Sequence, residues 1–119
     1  MLAYLLAFAA EASAADVTPI PQARWKRAPS AYERALAYPE LAAGRRIAGQ
    51  ATLKCRINDI GSPAACTIYS ETPKGHGFGK ALMKLRSQMS FHPPAPGEGP
   101  WVLITVGFDP DPKKALYIY

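Results

Sequence analysis

Two cysteines, two histidines and one glycine-rich run are the residues of this 119-residue chain whose types could do chemistry. Cys55 and Cys66 could form a redox pair, hold a metal or cross-link the chain. A disulfide oxidoreductase uses Cys-x-x-Cys, where one thiolate is activated and the other resolves the mixed disulfide. These two cysteines are too far apart in sequence for that motif. Zinc would need His76 or His92 as further ligands. His76 lies in a glycine loop and His92 precedes a proline, without regular ligand spacing. The third use is a structural staple. Closing a ring of about 12 residues is worth roughly 3 kcal/mol in the chain-entropy model, and a small domain has little core to spare.

Gly75-His76-Gly77-Phe78-Gly79-Lys80 invites a phosphate-loop reading, since glycines open a helix and a lysine follows. The pattern Gly-x-x-x-x-Gly-Lys-Ser/Thr fails in detail. Its first glycine would fall on Lys74, and Ala81 stands where the magnesium-binding hydroxyl belongs. The run therefore reads as a turn that sets Phe78 into a core. Glu40, Glu71 and Glu98 lie on separate elements, no serine sits in a nucleophile elbow, and no acid–base pair has a defined spacing. The expectation is a protein without enzymatic activity, cofactor, metal or small-molecule substrate.

The cysteines must be positioned by the stretch 49–69. Ala51, Leu53, Cys55 and Ile57 alternate with Gln50, Thr52, Lys54 and Arg56, which puts apolar groups on one face of a strand. Cys66 and Ile68 share a face in a second arm, with Thr67 and Tyr69 opposite. Between the arms, Asn58-Asp59-Ile60-Gly61 followed by Ser62-Pro63 is turn chemistry, because Asn, Asp and Gly tolerate positive φ. Pairing the arms about this turn sets Cys55 roughly opposite Cys66 on the buried face and predicts a cross-strand disulfide.

The chain is long enough for one small domain. Its formal net charge of +5 comes from scattered residues. Arg24, Lys26 and Arg27, then Arg45 and Arg46, then Lys113 and Lys114 form no basic stripe interleaved with aromatics, so nucleic acid is not an expected partner. Leu2 to Ala10 is apolar, and Ala12-Ser13-Ala14 offers a small-x-small cleavage pattern after Ala14 or Ala15. That run is too short to span a bilayer. Residues 1–15 thus read as a cleavable export signal, although nothing basic stands near Met1. Export and an even cysteine count agree, because disulfides persist in oxidising compartments; the expected location is a bacterial periplasm.

Residues 16–30, with Pro19, Pro21 and Pro29, read as a linker without a core, Trp25 being able to pack back on the domain. The domain proper is expected at 31–109. Tyr32, Ala35 and Leu36 are spaced for one face of a broken helix. A second short helix starts at Pro39 and stops at Gly44. After the loop 71–77, Phe78, Ala81, Leu82, Leu85 and Met89 mark an amphipathic helix of about three turns, which must end before Pro93-Pro94. Trp101 to Phe108 is the third strand, with Val102, Ile104, Val106 and Phe108 on one face. Residues 110–119 are a tail, its end Leu116-Tyr117-Ile118-Tyr119 reading as an extra edge strand or a frayed terminus.

The order strand, strand, helix, strand sets the topology. The fold class is α+β: a two-layer α/β sandwich with a three-stranded antiparallel sheet in the order 2-1-3. A right-handed crossover helix covers one face, and a short helix precedes the sheet. The third strand is then an edge, and an uncovered edge is a template for another strand. The residues expected to meet a partner are Trp101, Val102, Leu103, Ile104, Thr105 and Val106.

These elements, in this order, resemble the C-terminal domain of the TonB family of energy transducers over roughly 38–108. The resemblance rests on Tyr38-Pro39 opening the short helix and on Ile47-Ala48-Gly49-Gln50-Ala51 leading into the first strand. It continues through Asp59-Ile60-Gly61 at the turn, the helix 78–89, Phe91-His92-Pro93 as its exit, and Val102 to Phe108 as the closing strand. It implies a periplasmic module whose closing strand accepts an extended peptide by β-augmentation, with main-chain bonds giving affinity and pockets giving choice. The implied partner is a peptide of an outer-membrane receptor or another envelope protein; the alternative is a structural envelope domain that forms a homodimer edge to edge. The family's spanning helix and long proline-rich spacer have no counterpart in the chain as written. Ala35-Leu36-Ala37 stands where the family has a Gln- and Pro-rich lead, and Met89 where its helix carries a Trp. The resemblance therefore supports the fold better than the transducer role.

Overall fold

In the computed structural model, which describes residues 19–111, the chain runs through β1 (Arg24–Arg27), α1 (Ala31–Ala37), α2 (Glu40–Gly44), β2 (Gly49–Ile57) and β3 (Pro63–Thr72). It continues through α3 (Phe78–Lys84), a 3-10 turn at Leu85–Gln88, β4 (Ser90–His92) and β5 (Trp101–Phe108). The export signal, its cleavage site and the tail strand 116–119 lie outside the described residues.

Period-two alternation gives the main sheet its two faces. β3, β2 and β5 pair antiparallel in that order, as the connection rules require. Ala51, Leu53 and Cys55 of β2 face Val106, Ile104 and Val102 of β5, and this side is the core. α3 and its 3-10 extension lay Phe78, Ala81, Leu82 and Leu85 on it, followed by Met89 and Phe91. Burying each such large side chain contributes about 1.5–3 kcal/mol. The helix tightens after Lys84 and Met89 is already extended, because β4 begins pairing at Ser90 ahead of the two prolines.

The hairpin turn is held by its asparagine. The Asn58 side-chain oxygen accepts from Ile60 N–H at 3.1 Å and Ser62 N–H at 2.8 Å. Gly61 has φ 86°, a conformation that costs glycine nothing. A Cβ there would lie 2.5 Å from the Phe91 carbonyl oxygen, and the Gly61 carbonyl accepts from Phe91 N–H at 2.8 Å. The turn is thereby pinned to β4. Opposite Lys54–Arg56 of β2 the register of β3 shifts. Ala65 takes positive φ there, a bulge that lets Cys66 meet Cys55.

Three expectations change. Residues 16–30 are not only linker: β1 pairs with β4 as a second sheet, Trp25 opposite Phe91 with ring centroids 4.5 Å apart. Four residues with one inward side chain carry too short a pattern to read as a period. The expected face of α1 is turned outward, with Tyr32 72% and Leu36 69% exposed while Arg34 is buried. This helix starts through a capping box rather than an apolar stripe. Ser30 Oγ accepts from Glu33 N–H at 3.0 Å, and the Glu33 carboxylate accepts from Ser30 N–H at 2.8 Å. Finally, Pro39 is the N-cap of α2 and Gly44 its last residue, each one position from where the sequence placed it.

On the face away from the core, Thr52 and Thr105 are buried and their hydroxyls share a 2.8 Å hydrogen bond. Thr52→Val alone strands the other hydroxyl and is expected to cost about 1–3 kcal/mol. Thr52→Val with Thr105→Val should cost clearly less than the two single changes summed, which a urea-denaturation cycle measures.

Candidate functional site

The six residues expected to meet a partner divide by the pleat. Val102, Ile104 and Val106 point into the core, while Trp101, Leu103 and Thr105 lie on the opposite face. Trp101 sits opposite Arg56 and is flanked by cations: Lys54 Nζ lies 5.0 Å and Arg56 Cζ 5.7 Å from its ring centroid. Such contacts favour a cation over the aromatic face and hold the indole against β2.

The β5 edge is not wholly free, and this corrects the sequence expectation. Leu103 N–H donates to the Pro21 carbonyl at 2.9 Å, and the Leu103 carbonyl accepts from Ala23 N–H at 2.8 Å. Gln22 thus forms a parallel bridge with Leu103. Pro21 lacks an N–H yet keeps its acceptor, and its fixed φ suits an extended strap. In an antiparallel ladder the backbone groups of successive residues alternate in direction. With Leu103 turned outward, Thr105 and Gly107 are turned outward too, and Ile104 and Val106 are bonded to β2. Among the described residues, Leu103 is the position on this edge taken by a backbone partner.

Where β5 ends, a cavity of about 420 Å³ opens between it and the α1–α2 region. Gly107, Phe108, Asp109 and Pro110 form one wall; Ala31, Tyr32, Arg34, Ala35, Tyr38, Ala43 and Arg46 form the other. Tyr38 stands edge-on to Phe78 and to Phe108, each at 5.8 Å between centroids, and its hydroxyl donates to the Ile47 carbonyl. Burial pushes the Tyr38 hydroxyl above its ordinary pKa; the Asp109 charge adds to this and Arg46 opposes it.

The other chemistry-bearing residues are accounted for locally. Cys55 and Cys66 form a disulfide with a Cα–Cα distance of 4.2 Å, the expected staple and neither a thiol pair nor zinc ligands. The glycine run is organised by a carboxylate of its own chain: Glu71 accepts from Gly75 N–H at 3.2 Å and Gly79 N–H at 3.1 Å. That is the anion-holding geometry of a helix N-terminus, filled internally. His76 Nδ1 lies 3.0 Å from the Lys74 carbonyl, and His92 belongs to β4. Two features escaped the sequence reading: the strap at 21–23 and the cavity. Pro21 was a signal for the strap, since an extended, proline-fixed lead beside an unpaired edge can donate and accept there.

No protein-family model matches the chain, and no curated protein does. A solved structure of the TonB2 protein from Vibrio anguillarum is similar at 24% sequence identity, covering 79% of this chain and 87% of that one, with a TM-score of 0.48.

Proposed function

We propose that this chain is a TonB-like interaction domain of the bacterial periplasm that adds an extended peptide to the β5 edge beyond its own strap. The peptide belongs to an outer-membrane receptor or another envelope protein, and the domain acts by binding rather than by catalysis. One observation carries the reading: past Leu103 the outward backbone groups of Thr105 and Gly107 continue the ladder without a partner strand among the described residues. β-Augmentation uses such groups. The disulfide and the apolar N-terminal run support export to an oxidising compartment.

Amide exchange of the full chain, with and without synthetic N-terminal peptides of outer-membrane receptors, tests this. The informative amides are Thr105 and Gly107, since those of Ile104 and Val106 are protected by β2 in either state. We expect protection of both to rise by about tenfold or more at saturating peptide. Unchanged exchange at both across the candidate peptides counts against the reading.

A second reading is self-association through the opposite edge. Among the described residues β3 pairs on one side only, and it shows Ile68 (43%) and Tyr69 (57%) to solvent. In the same experiment, protection confined to β3 and rising with protein concentration would favour a homodimer, the unpaired edge being its template.

A further inference from the structure

We propose that the C-terminal tail is the resident strand of the β5 edge: residues 115–119 pair antiparallel with 104–108, and a guest strand must displace them. The inference rests on the peptide-binding reading and supplies its regulation.

Three observations lead to it. First, the two borders of the main sheet differ in burial. β3 ends the sheet on one side and leaves Ile68 43% and Tyr69 57% exposed. β5 ends it on the other, yet Thr105 is 7% exposed, no more than the 8% of Thr52 in the middle strand. An open border shows its backbone groups to water, so a border residue buried like its mid-sheet neighbour has cover on its outer side. Second, none of the described elements supplies that cover. The strap bonds Leu103, and β1, which follows it, pairs with β4. Across the cavity, the α1 side meets Gly107 to Pro110 but not Thr105. Third, the chain itself leads back to this edge. It bends at Pro110 and Asp111, where Asp111 N–H donates to the Asp109 carboxylate at 2.9 Å, the local bond of an Asx turn. Eight residues follow Asp111, ending in Ala115-Leu116-Tyr117-Ile118-Tyr119, whose branched and aromatic side chains suit a strand. With Asp109 to Lys114 as the connection, five residues at about 3.4 Å each run back as far as Ile104. The next position, Leu103, belongs to the strap. Lead and tail thus divide the edge between them without overlap. A tethered strand holds its site at high effective concentration, so the guest's apparent affinity falls with the fraction of chains whose edge is open.

The test follows the full oxidised chain by NMR. Through-space cross-peaks between backbone protons of 115–119 and 104–108 are expected in the unmodified chain without peptide, and their absence overturns the proposal. Tyr117→Pro with Ile118→Pro removes two adjacent N–H groups, one of which turns toward β5 in either register. In that variant the Thr105 and Gly107 amides should exchange about tenfold or more faster. Those of Ile104 and Val106 should not change, because β2 holds them. Synthetic N-terminal peptides of outer-membrane receptors should bind the variant about three- to tenfold more tightly than the unmodified chain. Unchanged exchange at Thr105 and Gly107 overturns the tail's place on the edge and leaves the peptide-binding reading standing. Faster exchange with unchanged peptide affinity overturns the competition and makes the tail a fourth strand of the scaffold. Peptide bound by neither chain sinks the peptide-binding reading, and the regulation with it.

Discussion

Phe78→Ala is expected to remove about 3–5 kcal/mol of stability, read as a lower urea midpoint with a little-changed slope. Phe78 is fully buried and joins three parts of the molecule. It opens α3 directly after Gly77, meets Tyr38 from the α1–α2 connection, and packs against Phe108 of β5 with centroids 5.6 Å apart. Its ring also lies over Gly49 so closely that a Cβ there would be 2.4 Å from Cε2. Removing the ring leaves a void that β2, β5 and α3 cannot close together, because the disulfide and the β2 ladders fix two of them. Gly49→Ala provides the control. In the otherwise unchanged chain its methyl must push the ring aside and should destabilise, whereas in Phe78→Ala the methyl enters the void. The double change should therefore be more stable than the two single costs imply, by about 0.5–3 kcal/mol. With total stability of about 5–15 kcal/mol for a domain, Phe78→Ala alone brings the chain close to unfolding at physiological temperature.

Opening the disulfide is the second large effect. Cys55→Ala with Cys66→Ala should cost about 3 kcal/mol, the closure entropy of the loop. The melting temperature should fall by roughly 10–20 °C for a domain of this size. The wild-type chain under reductant should fall similarly. The bond links the middle strand to β3, which has one strand partner among the described residues and mostly exposed side chains. β3 packs little of its own surface, so the cross-link substitutes for burial there. Cys55→Ser alone should be worse than the double alanine change, because it puts a hydroxyl at a fully buried position and leaves Cys66 as a lone thiol. Equal melting curves for oxidised wild type and the double alanine chain would show that the staple adds nothing.

Both expectations concern parts that were legible from residue spacing. The alternation in β2, the Asn-Asp-x-Gly turn, and the repeat from Phe78 through Leu85 each point one way. Together they fix the order of the three-stranded sheet and the facing of the cysteines. What could not be read has a common cause: its signal is a single residue or a backbone group. β1 shows one inward side chain, Trp25. α1 is set by the Ser30–Glu33 box and turns Tyr32 and Leu36 outward, against the rule that apolar spacing marks the buried stripe. The strap bonds through main-chain atoms of Pro21 and Ala23, and their side chains need no particular identity for it. The cavity arises where α1 and the end of β5 fail to fill the space between them, a property of no single stretch. The sequence placed the candidate site on β5; what it could not show is that the chain's own lead takes Leu103 there.

The attachment at Leu103 also has a mechanical side. Tension applied to the chain ahead of Pro19 reaches the two hydrogen bonds at Leu103 before it reaches the β1–β4 pair, which lies farther along the same backbone. A pull from that end loads the two bonds at Leu103 first, and breaking them would leave the outward N–H and C=O of Leu103 without their strap partners.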